Sequence, residues 1–250
     1  MFFIPIFKKK LKKNEYKHVI ITHFNLDYSL ARKDLPKEQY KNPEWLNHRF
    51  ELFEKYCYPS IQQQINKNFI WLCTFHENTP EPFMAKIKEF EQNCPQMIVS
   101  YASEFIEYNN TVSDLVKSII PKVPYLVTTR FDNDDSLAID YIDEIQKRLY
   151  QYDGYFIDFW YGYTYDAKNN IPYYIKTRRN PFSTRVEKWE NAKTIKSFNH
   201  TLINKSGPVY SIKTKPMWTQ VIHGGNVLNK VDGDNVKDLI DFQNRFVFSK

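Results

Sequence analysis

An apolar run, Tyr125-Leu-Val-Thr-Thr-Arg-Phe131, ends in Asp132-Asn-Asp-Asp135, so three carboxylates stand at the end of a strand-like segment. Open α/β sheets present ligands at the carboxyl ends of their strands, and hard cations such as Mg2+ or Mn2+ bind carboxylate and phosphate oxygens together. The chemistry that fits is a metal-bound phosphate. Asp134 is the first expected metal ligand. Asp132 is expected to bind the metal or ribose hydroxyls, and Asp135 to bind the metal through water or to orient the loop. Arg130, just before the motif, is placed to pair with these carboxylates or with phosphate.

Further along, His223 ends another apolar run and precedes Gly224-Gly225, where backbone is free to approach a ligand; it is expected to be a further metal or diphosphate ligand. Trp218, in the same run, is expected either to pack beneath the site or to stack on a sugar ring. A proton acceptor for an incoming hydroxyl requires a carboxylate or imidazole; Asp158 and Glu187 are the candidates, with His200 third. Arg178, Arg179 and Arg185 form a basic cluster in the sequence, suited to an anionic acceptor or to a solvated face.

The elements that must position these residues follow from hydrophobic period. His18–Phe24, Phe69–Phe75, Met97–Ser100 and the Asp-rich run read as buried strands. Helices are expected from Trp45 to Ile61, divided at Pro59, from Thr79-Pro80 to Glu91, over Val112–Ile120, and over Leu137–Leu149 with Ser136 as cap. This alternation predicts a mostly parallel sheet with helices on both faces. After Tyr152 the expected strands (Gly154–Trp160, Pro172–Thr177, Val209–Ile212, Met217–Ile222) make a more antiparallel half, closed by a helix from Asn235 to Asn244. The prediction is one α/β domain over 18–250, with an α/β nucleotide half (18–150) continuous with an α+β half (151–250), preceded by a tail over 1–17.

Composition supports a single core: 250 residues, 42% hydrophobic. An aromatic content of 17% with a net charge of +6 suits ligands that stack and carry phosphate, while the charge is too small, and too concentrated in the tail, to predict nucleic acid as a partner. Cys57, Cys73 and Cys94 are far apart without a C-x-x-C, which predicts reduced thiols and a cytoplasmic protein. No stretch approaches the roughly 20 apolar residues of a spanning helix. Phe2–Phe7 followed by Lys8–Lys13 is either a peripheral contact for an anionic membrane surface or a solvated basic tail.

Trp45-Leu-Asn-His-Arg-Phe-Glu-Leu-Phe53, Pro59-Ser-Ile-Gln-Gln-Gln64, Phe69-Ile-Trp71, Thr128-Thr-Arg-Phe-Asp-Asn-Asp-Asp-Ser-Leu-Ala138, Asn180-Pro-Phe182 and Trp218-Thr-Gln-Val-Ile-His-Gly-Gly-Asn226 together resemble the bacterial rhamnosyltransferase family, with the GT-A glycosyltransferase fold. The Thr-Thr-Arg-x-Asp-Asn-Asp-Asp and Trp-x-Gln-Val-x-His-Gly-x-Asn blocks are the specific parts. The resemblance implies a metal-dependent transferase moving a sugar, such as L-rhamnose, from a nucleotide-sugar donor to a polysaccharide or glycolipid acceptor. It implies that 18–150 takes the nucleotide-sugar and 151–250 the acceptor. It implies a metal at Asp132, Asp134 and His223, and donor contacts from Arg130, Asp132, Asp135, Trp218 and Asn226. After the second strand, where the family usually has Asp, this chain has His76 at the position of a nucleobase or ribose contact. The alternatives are a nucleotidyltransferase or phosphohydrolase using the same carboxylates, and a non-catalytic carbohydrate- or nucleic-acid-binding protein.

Overall fold

The computed structural model describes residues 9–34, 36, 38–224, 230–236 and 239–249. Its strands are β1 (Tyr16–His23), β2 (Ile70–His76), β3 (Met97–Ala102), β4 (Tyr125–Arg130), β5 (Ser136–Leu137), β6 (Tyr155–Phe159), β7 (Tyr161–Asp166), β8 (Ile171–Lys176), β9 (Thr184–Lys188), β10 (Val209–Ile212), β11 (Trp218–Ile222) and β12 (Asp234–Asn235). The helices are α1 (Pro43–Leu52), α2 (Tyr58–Gln62), α3 (Glu81–Asn93), α4 (Phe105–Ile119), α5 (Tyr141–Gln146), α6 (Ile203–Ser206) and α7 (Ile240–Arg245).

The main sheet has the order β10-β6-β9-β4-β1-β2-β3. Only β9 opposes the common direction: β4, β1, β2 and β3 pair in parallel, and two antiparallel pairings through β9 return β6 to the same sense. This is the expected mostly parallel α/β sheet. Side-chain alternation along β1 builds two cores. Ile20 packs with Leu46, Phe50 and Phe53 from the α1 side, whereas Val19 and Ile21 pack with Tyr108, Val112 and Val116 of α4. Leu46, Phe50 and Phe53 are fully buried, and each side chain contributes about 1.5–3 kcal/mol.

The second sheet, β12-β8-β7-β11-β5, is antiparallel except between β7 and β11. It is the more antiparallel half, but it recruits Ser136 and Leu137 from the first half. Leu137 faces Trp218 and Ser136 faces Thr219 across the β5–β11 ladder. Ser136 is therefore not a helix cap, and α5 starts only at Tyr141. The carboxylate loop is clamped between β4 of one sheet and β5 of the other.

The Trp45 helix also departs from expectation. Asn42 caps it, accepting from the Trp45 N–H at 3.0 Å, with Pro43 in the first turn. The interruption lies before Pro59, in a π-helical turn over Phe53–Cys57 where the Tyr58 N–H reaches Phe53 O. Pro59 sits in the first turn of α2, where its missing N–H is tolerated, and the Lys55 carbonyl four residues before it accepts from Ser249 N at 2.9 Å. The C-terminal helix shrinks to α7, because Asp234 and Asn235 pair with β8 instead.

The expected tail is attached from Lys9 onward. Leu11 is buried and its N–H bonds Leu149 O at 3.0 Å, while β1 begins at Tyr16. Met1–Lys8 lie outside the described residues. Among the described residues no helix is long and apolar enough to cross a membrane, and all three cysteines are buried and free.

Candidate active site

The carboxyl ends of β1 and β4 open into a cavity of about 480 Å3, lined among others by His23, Tyr28, Tyr40, Trp45, Arg49 and Arg130. Asp132, Asn133, Asp134, Asp135, His200 and Gln220 complete its polar wall. That volume is in the range of small-molecule sites. A shallower depression of about 610 Å3, at Lys13, Ile65–Asn68 and Asp143, shares no residue with it.

Each motif carboxylate has a different partner. Arg130 Nε and Nη2 bond both oxygens of Asp132, at 3.1 and 2.9 Å. Burial opposes ionisation of Asp132, but the Arg130 charge and hydrogen bonds outweigh it and hold the carboxyl well below its usual range. Asp134 Oδ2 accepts from Arg49 Nη1 at 3.0 Å and from His223 Nε2 at 3.2 Å, and these contacts lower it against the same opposing burial. Asp135 Oδ1 accepts only a backbone hydrogen bond, from Val221 N at 2.9 Å. Burial, then the neighbouring Asp134 and Asp132, drives it well above the usual range.

The β5–β11 pairing explains why His223, which follows β11, meets Asp134. Its other nitrogen, Nδ1, lies 3.2 Å from His48 Nε2 on α1; with Nε2–H donating to Asp134, Nδ1 accepts there, and a metal on Nε2 requires the other tautomer, in which Nδ1–H donates to His48. Adjacent ligands of an octahedral Mg2+ or Mn2+, each about 2.1 Å from the ion, stand about 3 Å apart. A carboxylate oxygen and an imidazole nitrogen 3.2 Å apart fit two such positions. Asp132, turned onto Arg130, does not join them, and among the described residues no group of three or more acidic, His or Cys side chains converges as a metal cluster.

Other expected residues fall elsewhere. Trp218 is fully buried, stacked on Phe182 with centroids 5.0 Å apart and donating to Phe159 O at 2.9 Å. It packs beneath the site and is closed to a sugar. Gly162 makes that possible, since a Cβ there would lie 2.3 Å from the indole. His76 is outside the cavity wall, but its ring stacks on Tyr40, which is in it, at 3.6 Å and 9°. Asn226 lies outside the described residues.

Both carboxylate base candidates are withdrawn from the cavity. Asp158 is buried, accepting from Arg179 N and Asn180 Nδ2, each at 2.9 Å. Glu187 sits on β9 opposite Leu126, toward the amino end of β4 and so away from Asp132. There it accepts from Lys193 and Thr194 backbone N–H groups and pairs with Arg185 at 3.3 Å. His200 does reach the cavity, but its Nδ1 is 2.9 Å from Arg130 Nη1. A guanidinium only donates, so Nδ1 accepts and Nε2 carries the proton. The three arginines do not form one cluster: Arg178 stacks on Trp160 at 3.8 Å, Arg179 serves Asp158, and Arg185 is buried against Phe156 and Phe198.

Sequence reasoning passed over Arg49 and a chain of three groups, Lys196, His23 and Tyr28. Lys196 Nζ lies 2.7 Å from His23 Nδ1, and His23 Nε2 hydrogen-bonds the Tyr28 hydroxyl in the cavity. Burial, then Arg130, pushes the Lys196 ammonium down to about 7. Tyr28 is five residues from His23, but Lys196 is 173 away, so no window of sequence holds all three. Arg49 alone lay inside a quoted segment, one turn after Trp45.

The family described as "Putative rhamnosyl transferase" matches residues 31–235. The chain belongs to this family. Among solved structures, this rhamnosyl transferase family member is similar to S. aureus TarS: 9% identity over 83% of this chain and 37% of that one, TM-score 0.41. It is also similar to S. aureus TarS 1-349 in complex with UDP, at 10% identity over 82% of this chain and 60% of that one, TM-score 0.43. A third is the inositol-1-phosphate CTP transferase from T. maritima, at 12% identity over 86% and 93% of the two chains, TM-score 0.37. The chain thus spans about 37% and 60% of the length of the two TarS structures. No curated protein matches.

Proposed function

We infer that the protein transfers a sugar from a nucleotide-sugar donor to a saccharide or lipid-linked acceptor, using a divalent cation, Mn2+ or Mg2+, held by Asp134 and His223. The observation that carries this reading is the meeting of Asp134 Oδ2 and His223 Nε2 at 3.2 Å beside a cavity of nucleotide-accommodating size, in a chain of the rhamnosyl transferase family. The cation would supply positive charge to the departing diphosphate without proton transfer. Asp134 and His223 would hold the cation, leaving room for the phosphate oxygens that Mg2+ commonly takes.

The chain's own groups divide the remaining work. Arg130 keeps Asp132 ionised and fixes its two oxygens, which suits it to accept from ribose hydroxyls at the cavity edge. Tyr40, backed by His76, and Trp45 offer ring faces for base and sugar. His200 presents Nε2–H as a donor. Tyr28, His23 and Lys196 form a hydrogen-bonded path along which an acceptor proton leaves the cavity, ending at an amine that changes charge near neutral pH. The family makes L-rhamnose the first sugar to try.

Thermal shift with UDP, dTDP and GDP, and with their sugar conjugates, each with and without Mn2+, tests the reading. One base family is expected to stabilise the protein only with Mn2+, by about 2.7 kcal/mol at a hundredfold excess over Kd. Indifference to the whole panel would overturn it.

A further inference from the structure

Arg49 occupies the place a cation would want. Its Nη1 donates at 3.0 Å to Asp134 Oδ2, the same oxygen that faces His223 Nε2 at 3.2 Å. Its Nη2 bonds Asn133 Oδ1, and Asn133 is tied through Nδ2 to the His23 and Phe24 carbonyls at 2.9 and 3.0 Å. The third nitrogen, Nε, is buried with no hydrogen-bond partner among the described residues. A guanidinium that leaves its buried Nε–H unmet beside carboxylates is poised for a better ligand, and phosphate meets its planar fork with two parallel bonds.

We propose that Arg49 is a displaceable counter-charge: it holds Asp134 while the cavity is empty, yields that oxygen to the divalent cation, and turns to the diphosphate of the incoming donor. Two cations cannot share Oδ2 at contact distance without strong mutual repulsion. The exchange therefore couples the two ligands. Metal alone must displace an arginine with nothing to receive it, whereas metal arriving with a nucleotide gives that arginine a phosphate. The proposal rests on the metal site inferred above, and it adds an order of assembly: cation and nucleotide enter together. Arg49 thus acts as a positioning residue for the metal and as a contact for the donor.

The test uses the whole protein and two probes, Mn2+ alone, followed by its electron paramagnetic resonance signal, and Mn2+ with the nucleoside diphosphate that stabilises best. Arg49→Met is expected to bind Mn2+ alone at least about tenfold more tightly than wild type, because the competing cation is gone, and to bind the nucleotide with Mn2+ about tenfold more weakly. Arg49→Lys, which keeps a charge without the fork, is expected between the two. A merely structural arginine would move both affinities the same way. Unchanged or weaker binding of Mn2+ alone by Arg49→Met overturns the proposal. Asp134→Asn separates the two failures: if it retains wild-type Mn2+ binding, the metal site itself is wrong, whereas loss of binding there with no gain in Arg49→Met removes Arg49 alone. Melting temperatures of all variants check the fold.

Discussion

Two sets of carboxylates lie at strand ends in this molecule, one half-buried at the cavity and one buried in the core, and only the first is fit to exchange partners. Asp132 and Asp134, between β4 and β5, are neutralised by side chains that line the same cavity, Arg130 and Arg49. Asp158 and Glu187, on β6 and β9, accept from backbone N–H groups at 179 and 193–194 and from the Asn180 amide, and Glu187 pairs with the Arg185 guanidinium, which is itself packed into the core and does not line the cavity. A guanidinium on a long side chain is able to give up a carboxylate when a cation or phosphate arrives. A backbone N–H in a folded loop is not. Acidity is shared by both sets and does not identify a site; a partner that can leave into the same cavity does.

The sharpest way to break this contrast is Asp134→Asn. The variant keeps the shape and a hydrogen-bond acceptor for Arg49 but lacks the charge that a cation needs. Mn2+-dependent nucleotide binding is expected to fall by at least about a hundredfold, with a melting temperature within a few degrees of wild type. Calorimetry against the best nucleotide decides it. Undiminished affinity would place the metal elsewhere and erase the distinction between the two sets.

The sequence made one set legible and misread the other, for physical reasons. A continuous apolar run ending in Asp is a local pattern, and so are the buried parallel strands β1, β2 and β4. By contrast β9, Thr184-Arg-Val-Glu-Lys188, reads as charged surface because its inward Arg185 and Glu187 satisfy each other and the loops around them. β5 is two residues long and exists only because β11, some eighty residues later, supplies its hydrogen bonds. That same pairing brings His223 to Asp134 and turns Ser136 from an apparent helix cap into a strand residue. Arg49 and Lys196 meet their partners across 85 and 173 residues, so no window of sequence contains them.

Glu187→Gln probes the second set where it is most heavily paired. The amide still accepts one backbone bond but no longer neutralises Arg185, which is nearly buried over Phe156 and Phe198. Breaking a buried pair on one side costs about 3 kcal/mol, which for a chain of this size lowers Tm by about 6–12 °C. Nucleotide affinity measured below the melting range is expected to be that of wild type. A specific loss of affinity with an unchanged Tm would return Glu187 to the active site.

The smallest effect is a change of slope at Asp158. Burial raises its carboxyl from 3.8 to about 6, against the lowering effect of the Arg179 and Asn180 donors. The folded state therefore holds a proton that the unfolded chain has released between these values. The stability this confers is full below the unfolded value and is lost as pH rises through the folded one. Asp158→Asn has no such titration: its amide disturbs the same two donors at every pH, a constant offset. The difference in stability between variant and wild type is thus expected to shift in the variant's favour by about 2 kcal/mol from about pH 4 to about pH 7. Melting curves of the pair across that range measure it, and parallel curves would mean that Asp158 is ionised in place, with room in its surroundings for a partner that a purely structural carboxylate does not need.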